Sequence, residues 1–94
     1  MKYLKVRWIH NDPGCPVLLY SELTDDLWET RKVEVFADGT AGYADSMNVM
    51  SGTQLSVEPL PPISVIAADL QFDPDFIEQE EFEQLWAMRE KRGS

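Results

Sequence analysis

Tyr3-Leu4-Lys5-Val6-Arg7-Trp8-Ile9-His10 has a strict period of two, and that period decides the fold. Leu4, Val6 and Trp8 point one way; Tyr3, Lys5, Arg7 and Ile9 point the other. Successive side chains of a strand alternate between faces, so the stretch predicts a half-buried strand. Working outward, Asn11-Asp12-Pro13-Gly14 predicts a turn, with proline fixing one φ and glycine permitting a positive one. Val17 to Leu23 is a second β-rich run, antiparallel to the first, and Asp25-Asp26 ends it. Leu27 to Phe36 predicts a longer strand. Trp28, Thr30, Lys32, Glu34 and Phe36 share one face of it, and Arg31, Val33 and Val35 the other. Asp38-Gly39 is a hairpin signal, with Thr40 to Ala44 returning and Gly42 marking a bulge or a close backbone approach.

The second half is less regular. Asp45 to Gly52 is polar, carries two methionines and predicts a loop. Gln54 to Val57 predicts a short fifth strand, which Pro59, Pro61 and Pro62 terminate for want of backbone donors. In Ile63 to Asp69 the β-branched residues argue strand. Pro62 at a first helical position, with Ile63, Ile66 and Ala67 at i, i+3 and i+4, argues a short helix, the favoured reading. Phe82, Leu85, Trp86 and Arg89 form the apolar stripe of a C-terminal helix. Glu78, Glu80 and Glu81 near its start, and Arg89, Lys91 and Arg92 at its end, complement its dipole. The expected fold is α+β: an antiparallel sheet of four to five strands, with a C-terminal helix and a short helix packed on one face. Ninety-four residues make one domain, residues 1–92, with Gly93-Ser94 read as a cloning scar.

Charge is regional. Between Lys32 and Arg89 there is no lysine or arginine, while Glu34, Asp38, Asp45, Glu58, Asp69, Asp73, Asp75, Glu78, Glu80, Glu81 and Glu83 fall in that interval. The first 32 residues are neutral and the last six carry a net +2, so the −11 of this stretch sets the net charge of −9. Such a field repels nucleic acid and anionic membrane and attracts a cationic protein. A merely soluble surface interleaves both signs. One cysteine, Cys15, permits no internal disulfide, and the alternating N-terminus has no signal-peptide core; both fit the cytoplasm. No apolar run approaches the ~20 residues of a membrane span.

Sites of chemistry are scarce. His10 and Cys15 flank one turn, without an orienting third group or an oxyanion loop, and predict an edge histidine and a small loop cysteine. Two Cys or His residues are too few for structural zinc. Asp73 to Glu83 contains no glycine, unlike a calcium loop, and predicts a solvated acidic loop leading into the helix. Lys5, Arg7, Arg31 and Lys32 form either a small basic patch or ordinary charges partnering Glu22, Glu29 or Glu34. No metal, cofactor or catalytic role is expected.

The run from Tyr3 to His10, the Asn11-Asp12-Pro13 turn, Leu19-Tyr20-Ser21-Glu22 and Arg31 to Gly39 with Gly42-Tyr43-Ala44 carry a resemblance. Glu58-Pro59-Leu60-Pro61-Pro62 and Glu80 to Trp86 extend it over nearly the whole chain. Together they resemble a family of small bacterial domains of unknown function. Its members look like immunity proteins encoded beside polymorphic or contact-dependent-inhibition toxins, several of which are nucleases, including EndoU-like RNases. The resemblance implies a non-catalytic cytoplasmic protein that neutralises a basic nuclease toxin as a monomer in a 1:1 complex.

The residues expected to meet that partner are Asp69, Phe72, Asp73, Asp75 and Glu78, the densest acidic stretch, and Tyr43, Asp45, Met47 and Met50 around the preceding loop. Phe82, Leu85 and Trp86 are assigned to the core. Two other readings stand beside this one. The first is a small enzyme or ligand-binding domain with a pocket between sheet and helix. The second is an acidic mimic of nucleic acid that acts on a basic host protein. The open sheet edges also leave self-pairing available.

Overall fold

The computed structural model describes residues 1–45 and 53–88, together with the backbone of 49 and 50. Its strands are β1 (Lys2–Trp8), β2 (Leu18–Leu23), β3 (Glu29–Val35), β4 (Ala41–Asp45), β5 (Val49–Met50) and β6 (Phe72–Phe76). The helices are α1 (Ile63–Ala67) and α2 (Gln79–Ala87). The strands form one antiparallel sheet in the order β5-β4-β3-β2-β1-β6. The α+β class and the C-terminal helix are as the pattern implied.

Two strands lie elsewhere than expected. Gln54 to Val57 is not a strand; the fifth is the two-residue β5, inside the segment read as a loop. The acidic stretch read as a solvated loop is β6, paired along β1 from Leu4↔Phe76 to Trp8↔Phe72. Pro74 is tolerated there for a geometric reason. Ile9 N–H donates to the Gln71 carbonyl and Ile77 N–H to the Tyr3 carbonyl, which fixes the phase of the ladder. Asp73 and Asp75 then bond across to β1, while the backbone of Phe72, Pro74 and Phe76 faces the open edge. The missing proline donor therefore falls on the outer side, where it blunts pairing with another chain.

The pleat separates two cores. Tyr3, Tyr20, Val33, Val35, Ala41 and Tyr43 form one face, sealed by Phe82 of α2, which is wholly buried. Burying a phenylalanine of this kind contributes about 2–3 kcal/mol. The other face presents Leu4, Val6 and Leu23, with Leu19, Leu27, Leu60, Ile63, Ile66 and Phe72 around them. The two helices thus take opposite faces. The chain leaves β5 at one edge, crosses the second face through α1, adds β6 at the far edge and returns over the first face as α2. Leu60 N–H donating to the Leu27 carbonyl (2.9 Å) pins the crossing segment.

Local details differ from expectation at three points. Gly14 does not use a positive φ; its N–H donates to Asp12 Oδ1 (2.8 Å), so the aspartate makes the turn. The irregularity in strand pairing lies at Glu22/Leu23, and Gly42 keeps regular register with Glu34. α2 begins with Glu80 and Glu81 in its first turn, but its described last turn has no base. Arg89, Lys91 and Arg92 lie outside the described residues.

Candidate partner-binding surface

The carboxylates divide by what they touch. Glu22 and Arg31 face each other across β2 and β3 beneath α2. Arg31 donates through Nε to Glu22 Oε1 (2.9 Å) and through Nη2 to Glu22 Oε2, a bidentate fork. Its Nη1 donates to Glu83 Oε1 of α2 (2.7 Å). The guanidinium also lies against the Phe82 and Trp86 rings, 5.0 and 5.2 Å from their centroids. The Tyr3 hydroxyl (3.0 Å) and the Thr30 hydroxyl (2.7 Å) donate to Glu22 as well. The Arg31 hydrogen bonds hold the Glu22 carboxyl down at about 2, against its burial. Glu83 is lowered for the same reason, and burial with the Glu22 contact raises the Tyr3 phenol. A planar, stacked, bidentate cation suits this place as a lysine would not. Arg31 therefore pairs with Glu22 and Glu83, and Lys32, on the opposite face, approaches Glu29 (3.8 Å). The four bases form no common patch.

The expected partner-binding residues scatter over three environments. Tyr43 is in the first core, 5.8 Å from the Trp86 ring and only 8% exposed, so its ring is not on the surface. Asp45 ends β4 in register with Arg31 and is half-buried. Met47 and the Met50 side chain lie outside the described residues. Phe72 turns onto the second face and packs 5.8 Å from Trp8. Asp69, Asp73, Asp75 and Glu78 are exposed. Asp69 Oδ1 accepts the Gln71 N–H (2.9 Å). Asp73 stands opposite Arg7 and Asp75 opposite Lys5, so cross-strand attraction already accounts for part of this pair. Glu78 occupies the N-cap of α2 without a capping hydrogen bond, followed by exposed Glu80 and Glu81.

The structure therefore extends the exposed acids from Asp69 along edge strand β6 to Glu81 on α2. Phe76, 48% exposed, borders this ridge on the Leu4 face of the edge strand, opposite Asp75, and a hollow beside it is lined by Met1, Lys2, Tyr3, Ile77, Glu78 and Gln79. Sequence reasoning missed Phe76. The alternation Phe72-Asp73-Pro74-Asp75-Phe76 was its signal, obscured by the proline.

The turn after β1 holds its histidine structurally. Asp12 N–H donates to His10 Nδ1 (3.0 Å), so Nε2 carries the proton and donates to the Pro16 carbonyl (2.7 Å). Cys15 meets Asp12 (3.6 Å), and its thiol is pushed up first by burial and then by that carboxylate. Among the described residues no cluster of His, Cys, Asp or Glu has metal-binding geometry, and no helix is long and apolar enough to cross a membrane.

A six-stranded antiparallel sheet with one helix on each face and an acidic edge defines the class of domain. The chain belongs to the family described as domain of unknown function DUF6881, whose model matches residues 2–91. No curated protein and no solved structure matches the chain.

Proposed function

We propose that this domain is an immunity protein that binds and neutralises a cationic toxin, a nuclease, and does so without catalysis of its own. The observation that supports the reading is the ridge from Asp69 to Glu81. It gathers exposed carboxylates on one edge strand and one helix start, within a stretch of 56 residues (33–88) that holds no base. A nuclease must present lysines and arginines to phosphates. A carboxylate ridge competes for those groups and steers association, by as much as ~10³-fold at low salt. Phe76, exposed at the border of the ridge, is the apolar anchor available to such a contact, since charge at a rim contributes rate more than lifetime.

The experiment is a binding measurement against the toxin domain encoded beside this gene. The association rate should fall steeply between low and high salt, and Glu78→Lys with Glu81→Lys should slow it. Phe76→Ala should speed dissociation. A tight complex whose association ignores both salt and these reversals would rule out the ridge as the docking surface. Absence of any complex would remove the immunity role itself.

A further inference from the structure

The second face of the sheet is incompletely filled. α1 has no buried residue, and beneath it a cavity of about 320 Å3 opens over Leu4, Val6, Leu19 and Phe72. Val65 and Ile66 of α1 roof it. The size is at the lower end for small-molecule sites, and the walls are nearly all apolar, as such sites require.

One end of this cavity is polar in an unbalanced way. Glu29, which is buried, has both oxygens in use: Oε2 accepts from the Ser21 hydroxyl (2.6 Å) and Oε1 from the Ser56 N–H (2.7 Å). Lys32 lines the same end, its side chain only 18% exposed. Among the described residues its one side-chain polar contact is Glu29 at 3.8 Å, beyond hydrogen-bond length. An ammonium carries three donors, and leaving donors unmade in a largely buried place is costly. Each Glu29 oxygen already has a donor, whereas the Lys32 ammonium has no acceptor within hydrogen-bond length among the described residues.

Charge narrows what completes it. Lys32 with Glu29 is already formally neutral, and Glu34 follows on the same face of β3. Asp69 lines the far end of the cavity, on the β6 side of the sheet. A second carboxylate would leave a net negative charge in an apolar site, within a chain of net charge −9. An amine would face Lys32. A neutral oxygen acceptor meets neither penalty.

We infer that this cavity is a binding site for a small, neutral, largely apolar carbonyl compound. Its oxygen accepts from Lys32 Nζ, and its hydrocarbon part lies between α1 and the sheet over Val6, Leu19 and Phe72. This goes beyond the acidic ridge, which shares only Asp69 with the cavity and whose Asp73, Asp75, Glu78 and Glu81 do not line it, so either site can fail without the other.

The test is an amide-resolved NMR titration of the whole chain with 2-nonanone, nonanoate and nonylamine. Saturable shifts at Val6, Leu19 and Ile66 are expected with the ketone, at an affinity at least about tenfold above either ion. Lys32→Met should weaken the ketone by about tenfold, and Leu19→Trp, which fills the cavity, should abolish its binding. No saturable shift at those residues would overturn the inference. So would nonanoate or the amine binding as tightly as the ketone, or an unchanged ketone affinity in Lys32→Met. The comparison among the three probes on the unaltered chain stands whether or not either variant folds.

Discussion

The Glu22–Arg31–Glu83 group under α2 and the ridge from Asp69 to Glu81 are built from the same side chains and do opposite things. Under α2 each carboxylate meets a guanidinium, hydroxyls or aromatic rings, and the charge is spent within the fold. Along the ridge, among the described residues, Asp73 and Asp75 have cross-strand neighbours, and Glu78, Glu80 and Glu81 have the helix dipole. A net charge says nothing of this division. What separates the two sets is whether an acid can reach Arg31, the one base that the pleat of β3 turns toward α2.

The sharpest way to break the comparison is to remove Arg31. Arg31→Met should destabilise the domain by about 3–5 kcal/mol in denaturant unfolding, because Glu22 stays buried without its partner. A loss under about 1 kcal/mol would mean the group contributes no more than an exposed ion pair.

Acid titration gives the next effect. Glu22 sits at about 2 in the folded state against an ordinary 4.5, so its folded value is depressed. Its contribution is complete above 4.5 and is lost as pH falls from there through about 2. At ~1.4 kcal/mol per pH unit this amounts to roughly 3 kcal/mol, and Glu22→Gln should flatten that limb of the stability–pH curve. An unchanged limb in the variant would place the acid sensitivity elsewhere. Asp38 should matter less. Its carboxyl is lowered by the Thr40 hydroxyl and backbone N–H within an exposed turn, so Asp38→Ala should lower the melting temperature far less than Arg31→Met does.

The ridge should show the reverse profile. Glu78→Lys with Glu81→Lys should change unfolding free energy by about 1 kcal/mol or less, mostly by opposing the dipole of α2.

Much of this fold was legible in the period-two runs. Tyr3 to His10 placed Leu4, Val6 and Trp8 against Tyr3, Lys5 and Arg7, and the pairing registers keep that division. Arg31 was already on one face with Val33 and Val35, which is the face α2 covers. Its inward role stayed hidden because Glu83 reaches it only once α2 is docked, 52 residues away. β6 was hidden for a different reason. Proline and two aspartates signal a loop when read locally, and only the sheet edge makes them acceptable. Of the expected contact residues, Asp69, Asp73, Asp75 and Glu78 are exposed, whereas Tyr43 and Phe72 turn inward, as strand alternation carried through β4 and β6 requires.

The central claim is that the exposed acids of the ridge steer a partner while those bound to Arg31 hold the fold. It is tested most directly by stopped-flow association of the Glu78→Lys/Glu81→Lys variant with the neighbouring-gene toxin domain, alongside the unaltered chain, across a salt series. A rate lowered by about tenfold or more at low salt, converging with the unaltered chain at high salt, is the predicted result. Equal rates at every salt concentration would contradict it.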